Sequence, residues 1–342
     1  MKKIFAVAGI LLALGCGSVF AKKAKAETNK LKVVTTIFPE YDWARQVIGE
    51  KADNVELTFL LDNGVDLHSF SPSVKDIAKI QEADIFVYVG GESDEWVDEV
   101  LKNVKKPNQK VINLLEVLGD KVKAEEIVEG MQHEHHHHDE HGHDDHDDDD
   151  EHEHHEEHHH EEEEELDEHV WLSLKNAQIL TSAITSALCE VDAKNAEVYK
   201  KNLASYNAKL AALDAKYEEA VNASSKNTLL FGDRFPFRYM VEDYNLKYFA
   251  AFTGCSAESE ASFKTIVFLS EKVNEFGLNT VCQIETGNGK IAKTVISNSK
   301  NKKAKVLTFD SLQSTTAKQI KKGATYLGAM EKNLEVLKEA LK

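Results

Sequence analysis

The sequence predicts an α/β protein of two lobes, each a mostly parallel sheet flanked by helices, joined by one long helix. Three observations carry this prediction. Short β-rich runs alternate with helical runs near both ends of the chain, and such alternation builds a parallel sheet with helices on its faces. Between the two alternating stretches, no Gly or Pro occurs from Val170 to Phe231. Proline is scarce throughout (Pro39, Pro72, Pro107 and Pro236), so little interrupts regular structure.

The first lobe opens with a strand over residues 31–37 (LKVVTTI), followed by a helix over 41–48 and a second strand over 55–61. A helix over 73–83 leads into the buried-type strand 84–89 (DIFVYV), which ends at Gly90-Gly91. A helix over 96–104 and a strand over 110–114 complete it. Residues 193–222 form the linking helix. Tyr199, Leu203, Tyr206, Leu210, Leu213 and Tyr217 fall at 4-3-4-3-4 spacing, one apolar stripe. Thirty residues span ~45 Å at 1.5 Å per residue, and Asp192 stands where an N-cap belongs. A coiled coil would carry the same stripe, but the flanking α/β halves favour a helix packed across both lobes. The second lobe repeats the grammar: strands over 227–231, 247–252, 280–284 and 305–309 alternate with helices over 237–244, 261–276 and 291–299, and an amphipathic helix closes it over 324–341. The boundaries follow: 1–27 a signal and tether, 28–192 the first lobe, 193–222 the linking helix, 223–342 the second lobe.

One segment serves no folded core. Residues 131–165 read MQHEHHHHDEHGHDDHDDDDEHEHHEEHHHEEEEE and contain no Lys or Arg. The tract holds His133, His135, His136, His137, His138, His141, His143, His146, His152, His154, His155, His158, His159 and His160, all but two of the chain's 16 histidines. Of the 59 acidic residues, 18 lie in it; the other 41 equal the Lys and Arg count, so the remainder of the chain is formally neutral. Solvation alone needs Asp and Glu but not histidine. Neutral imidazole suits zinc, copper and nickel. The tract therefore reads as an accessory metal-binding loop. A neutral remainder also argues against a nucleic-acid partner.

Met1-Lys2-Lys3 followed by the apolar run 4–14 is an export signal, too short to span a bilayer. Leu12-Ala13-Leu14-Gly15-Cys16 reads as a lipobox with Cys16 as the lipidated residue, while Val19-Phe20-Ala21 and Ala24-Lys25-Ala26 offer cleavage sites for a soluble product. The expected location is outside the cytoplasmic membrane, periplasmic or on the cell surface, with membrane contact through the lipid anchor alone. Cys189, Cys255 and Cys282 remain after processing. They allow at most one intramolecular disulfide, and without a CxxC no cysteine-based zinc site is expected.

Only His68 and His169 stand outside the tract. His68 lies in VDLHSFSPS, a loop after the second strand, on the edge of a parallel sheet where ligand sites form. His169 lies in LDEHVWLS, entering a helix directly after the tract. Two such loop histidines, in a chain that advertises metal binding, point to metal ligands. No HExxH occurs and no positioned base or nucleophile is evident, so no enzymatic zinc is expected.

The chain resembles the zinc- and manganese-binding solute-binding proteins of ABC transporters (the cluster A-I, ZnuA/TroA-like group) over essentially the whole mature sequence. The resemblance rests on Thr35-Thr36-Ile37-Phe38-Pro39, VDLHSFSPS, Gly90-Gly91, EHVWLS, the long helix and residues 254–262 (GCSAESEAS). It implies two α/β lobes on a rigid helix with the metal between them, His68 and His169 as first-lobe ligands, and a His-rich insertion typical of zinc members. Many members follow the first strand of the second lobe with His-x-Ala-Phe-x-Tyr. Here that region reads FGDRFPFRY over 231–239, with no histidine and one extra residue before the tyrosine. Asp233 is the nearest candidate ligand, with helix capping or pairing to Arg234 as its structural alternatives. Glu285, ending the strand 280–284, matches the family's acidic ligand. Two imidazoles with one or two carboxylates suit Zn2+ and would also accept Mn2+; the tract favours zinc. The implied function is capture of zinc outside the membrane and delivery to an ABC permease and its ATPase, by a monomer whose long helix limits lobe motion. The alternatives are a manganese-delivery protein of the same fold and an extracellular metal-buffering or adhesin protein.

Overall fold

The computed structural model describes residues 30–132, 165–256 and 260–342. The export segment with Cys16, the tract histidines and residues 257–259 lie outside the described residues.

The chain first forms β1 (Leu31–Thr35), α1 (Phe38–Ile48), β2 (Val55–Phe59), α2 (Val74–Gln81), β3 (Ile85–Tyr88), α3 (Trp96–Leu101), β4 (Lys110–Asn113) and α4 (Leu114–Leu118). The strands are parallel in the order β2-β1-β3-β4. Two long helices follow, α5 (Leu174–Val191) and α6 (Ala196–Asn222). Then come β5 (Thr228–Phe235), α7 (Arg238–Asp243), β6 (Lys247–Thr253), α8 (Phe263–Glu275), β7 (Thr280–Ile284), α9 (Lys290–Asn298), β8 (Lys305–Phe309), α10 (Ala317–Lys321) and α11 (Tyr326–Ala340). The second sheet is again parallel, in the equivalent order β6-β5-β7-β8. The two-lobed α/β architecture expected from the sequence is thus present. In each sheet the strand order reverses beside the first strand, and ligand crevices open at the C-terminal ends of strands there.

Two local expectations change. Asp192 does not cap the linking helix. It ends α5, and its Oδ2 accepts from Asn195 Nδ2 (2.7 Å) and from the Tyr199 hydroxyl (2.7 Å), bracing the turn between α5 and α6. Strand β5 runs on to Phe235, past the expected end at 231, so Asp233 and Arg234 stand in a strand rather than a loop. Beyond a register shift between Phe231 and Arg234, the extension pairs Arg234 with Phe252 and Phe235 with Thr253 of β6, and Phe235 stacks on Tyr248 at 3.8 Å between ring centroids.

Helix α6 buries Tyr199, Tyr206, Leu210, Leu213 and Tyr217, five of the six stripe residues. It packs on α1, α5 and α11. Asn202 donates to Val47 O at the end of α1 (2.9 Å), and the Tyr217 hydroxyl donates to Met330 O in α11 (2.6 Å). Gly49 permits the first contact: its φ is +51°, and a Cβ there would lie 2.6 Å from Asn202 Nδ2. One apolar cluster runs from Val33 and Phe86 of the first sheet through Leu180 and Leu210 to Phe231 and Phe309 of the second. A smaller cluster, including Leu230, Ile266 and Val295, fills the far side of the second sheet. A shared apolar core leaves the lobes little freedom to hinge. Among the described residues, no helix is long and apolar enough to cross a membrane.

Candidate metal centre

His68 sits in a 3-10 turn, Leu67–Ser69, beyond the C-terminal end of β2. Asp66 starts that turn: its Oδ1 accepts the His68 backbone N–H (3.1 Å). The ring is held by its Nδ1, which lies 2.8 Å from Ser93 Oγ and 3.4 Å from Glu168 Oε2. Ser93 belongs to the loop after β3, where its own N–H donates to Glu168 Oε1 (2.8 Å). Gly91, at φ +81°, lets that loop close, since a Cβ would meet Glu168 Oε1 at 2.5 Å.

His169 is fully buried, immediately before the 3-10 turn Val170–Leu172. Asp167 Oδ1 accepts from both its backbone N–H (2.9 Å) and its Nδ1 (3.0 Å). With each Nδ1 occupied, the two Nε2 atoms face one another at 3.2 Å. Nitrogens that far apart subtend about 100° at an ion 2.0–2.1 Å from each, near the tetrahedral angle of a zinc site. A carboxylate behind the far nitrogen is the usual support of a metal-bound imidazole.

The charges around the pair are unequal. Burial, then His169, pushes His68 down to about 3. Burial also acts to lower His169, but the Asp167 hydrogen bond and charge, with Glu168 and Asp66, outweigh it and raise the ring. These opposite shifts fit a His169 Nε2–H that donates to the His68 lone pair, a proton whose place a dication would take. Burial raises Glu168. Asp66 is lowered, since Arg234 and His68 overcome its burial.

The second lobe approaches through the end of β6. Gly254 lies against His169: a Cβ there would be 2.9 Å from Cε1 and 3.1 Å from both Nδ1 and Phe235 O. The next residue, Cys255, completes a cluster in which its Sγ and one ring nitrogen of each histidine lie within 4.8 Å of one another. Its N–H donates to Glu125 Oε1 (3.0 Å). Cys255 is a free cysteine, and burial, then Glu125, raises its thiol. Beside the cluster, Arg234 reaches from β5 to Asp66 (2.7 Å) and so joins the lobes.

The structure brings His68 and His169 together and engages Asp233 and Glu285 elsewhere. Asp233 Oδ1 accepts from Arg234 N (2.9 Å) and Oδ2 from Ile284 N (3.2 Å), which staples β5 to the end of β7. Glu285 Oε2 accepts from Ser311 N (2.7 Å), and its Oε1 accepts from the hydroxyls of Ser311 (2.9 Å) and Ser314 (3.0 Å). Ser311 O in turn accepts the Trp171 indole N–H (2.9 Å), two residues from His169. The sequence reading set Cys255 aside for want of a CxxC and passed over Ser93 and the supporting carboxylates Asp167 and Glu168; the signal for the last two was their place in the DEH triplet ending at His169.

Both ends of the histidine tract are anchored near this centre. Gln132 bridges to Phe252 of β6, Leu166 bridges to Ala124, and Glu125 N donates to Glu165 O (2.7 Å).

The chain is similar to several known proteins. Residues 33–340 match the family model described as ZnuA, zinc-uptake complex component A, periplasmic. The high-affinity zinc uptake system protein ZnuA of Bacillus subtilis is 30% identical over 340 residues, covering 99% of this chain and 97% of its own length. The zinc-binding protein AdcA of Streptococcus pyogenes is 32% identical over 336 residues; the match takes in 96% of this chain but only 61% of that longer relative. Among solved structures, the Zn(II)-bound ZnuA-like domain of Streptococcus pneumoniae AdcA superposes with a TM-score of 0.66 at 28% identity, over 91% of this chain and 99% of that one. Laminin-binding protein of Streptococcus agalactiae shares the fold at 23% identity and TM-score 0.68, covering 91% of this chain and 100% of that one.

Proposed function

We propose, from the premise that this chain belongs to the ZnuA family of periplasmic zinc-uptake components, that it captures Zn2+ between its lobes and hands it to an ABC permease driven by its ATPase. The observation that carries the reading is the facing pair of Nε2 atoms on His68 and His169, each ring locked by its other nitrogen. In this reading the protein is a monomer on the outer side of the cytoplasmic membrane, tethered through Cys16. The family is one of uptake-complex components, not of enzymes. The site serves as a receptor: it exchanges protons and bulk water for a dication.

The continuous core and the Asp66–Arg234 bridge favour release through local movement of the loops at the site rather than through wide opening of the lobes. The tract, rooted beside the site at both ends, acts as an accessory zinc collector. Zinc rather than manganese follows from the histidine-rich approach to the site.

The test is competition with a chromophoric chelator at substoichiometric zinc, which reads the tightest site. His68→Ala and His169→Ala are each expected to abolish tight binding, while deletion of residues 133–164 preserves it. Wild-type affinity in either alanine variant would refute the ligand assignment. Loss of all tight binding on the deletion would make the tract the receptor and the lobes a scaffold.

A further inference from the structure

We infer that the second lobe closes the zinc site with the thiolate of Cys255, making it a two-histidine, one-cysteine centre with one open position. The inference rests on the proposed zinc-capture reading and deepens it. Four observations carry it.

First, among the described residues the His68–His169–Cys255 cluster is the one group of three or more histidine, cysteine or carboxylate side chains close enough to share an ion. Sulfur at ~2.3 Å and nitrogen at 2.0–2.1 Å from a tetrahedral zinc lie ~3.5 Å apart. The 4.8 Å limit of the cluster therefore asks for closure of only about an ångström. Second, the backbone is shaped to deliver this residue. Gly254 brings β6 to van der Waals contact with His169, where a side chain would push the strand away. The Cys255 N–H is then tied to Glu125 of the first lobe, which fixes the residue across the cleft. Third, the alternative donors of the second lobe, Asp233 and Glu285, do not join the histidine cluster and bond within their own lobe. Asp233 holds Ile284 N, and Glu285 holds Ser311 and Ser314. Arg234, the β5 side chain that does reach the cleft, is a cation and forms the bridge to Asp66. Fourth, Cys255 is not spent on a disulfide. Cys189 and Cys282 are also free, the former near the end of α5 with its thiol donating to Ala196 O at the start of α6 and the latter buried in β7.

A thiolate changes what the site selects. Two imidazoles with carboxylates would accept manganese as well as zinc, whereas sulfur favours the borderline-soft zinc over the hard manganese ion. Cys255 is then a specificity-determining ligand, and its thiol proton leaves to solvent when the metal enters.

One equivalent of cobalt(II), added to the reduced, metal-free full-length chain, tests this. Histidines and carboxylates, the tract's included, give no thiolate-to-cobalt charge-transfer band in the near ultraviolet; a cysteine ligand does. The expected result is a band in the wild type that Cys255→Ser abolishes. The serine variant should also lose more zinc affinity than the ~10–100-fold that follows loss of an outer hydrogen-bonding partner, and its preference for zinc over manganese should narrow. A wild type without the band, in which His68→Ala still abolishes tight zinc binding, would overturn the thiolate ligand and leave the zinc-capture reading standing. A band that persists in Cys255→Ser would assign the sulfur to another cysteine and equally overturn it. Tight zinc binding that survives both Cys255→Ser and His68→Ala would overturn the inference and the reading together.

Discussion

Glu40→Gln tests the buried carboxyl pair beneath the metal site. Glu40, the third residue of α1, is fully buried; its Oε2 accepts from Thr36 N (2.9 Å), Thr36 Oγ1 (3.1 Å) and Ile37 N (3.3 Å). Asp94, also buried, holds Val89 N (2.9 Å) and Gly90 N (3.1 Å), the backbone that leads to Ser93 and thus to His68. The second oxygen of each carboxyl has no hydrogen-bond partner among the described residues. Burial, with the charge of Asp94 behind it, pushes Glu40 up to about 8. Burial pushes Asp94 up to about 7. The folded chain therefore holds protons that the unfolded chain releases. A carboxyl raised in this way stabilises fully below its unfolded value of 4.5, and the contribution fades as pH rises to its folded value near 8. Each pH unit in that window is worth ~1.4 kcal/mol per proton. Between about pH 5.5 and 8.5, Glu40 alone then costs the wild type about 3 kcal/mol, an upper bound that relaxation around the ionised group reduces. Glutamine keeps a carbonyl oxygen for Thr36 and Ile37 and cannot ionise. Urea unfolding of the metal-free chain in chelator, followed by tryptophan fluorescence across this range, should show the variant gaining on the wild type as pH rises. Parallel stability–pH curves would refute the reasoning, because they would mean that Glu40 is already ionised in the folded protein at pH 5.5.

Three further outcomes follow from the site. Asp167→Asn removes the charge behind His169 Nδ1, 3.0 Å away, and should weaken zinc binding ~10–100-fold by chelator competition; unchanged affinity would show that the ring orients itself. Asp233→Asn and Glu285→Gln each break hydrogen bonds within the second lobe, and should lower metal-free stability by about 1–3 kcal/mol while zinc affinity stays within a few-fold. The reverse pattern, lost affinity at unchanged metal-free stability, would make them ligands. Gly254→Ala places a methyl group 2.9 Å from His169 Cε1 and should weaken zinc binding with a smaller effect on stability; wild-type binding would mean that β6 can retreat without disturbing the centre.

Much of the fold was legible because the sequence speaks in local periodicities. The buried run Ile85–Tyr88 and the stripe on α6 state their roles through residue type and spacing alone. The two isolated histidines were legible for a different reason: one histidine-rich tract sets a metal context in which a loop histidine gains meaning. What stayed hidden was long-range. Nothing near Asp192 in the sequence says that its carboxylate goes to Tyr199 seven residues on rather than to the helix backbone. Likewise, the continuation of β5 through Asp233 and Arg234 goes with pairing of Arg234 to Phe252 and Phe235 to Thr253, residues of another strand.

The second-lobe donor is the sharpest case. Asp233 and Glu285 are acidic residues at strand ends, which is what a carboxylate ligand looks like in one dimension. Three dimensions supply each with donors of its own, from Arg234 and Ile284 for the one and from Ser311 and Ser314 for the other. Neither carboxylate joins the histidine cluster among the described residues. Cys255 Sγ does lie within the histidine cluster, but a cysteine without a CxxC partner gives no metal signal in sequence. Its signal is instead the glycine before it, because only the absence of a side chain at 254 lets the strand end against His169. The centre is thus divided by origin: the first lobe contributes rings held rigid by Ser93, Glu168 and Asp167, and the second contributes a single soft donor on a strand end. Withdrawal of that strand end by an ångström or two would break one bond and leave the shared core untouched, which is how a receptor with fused lobes can still release its ion.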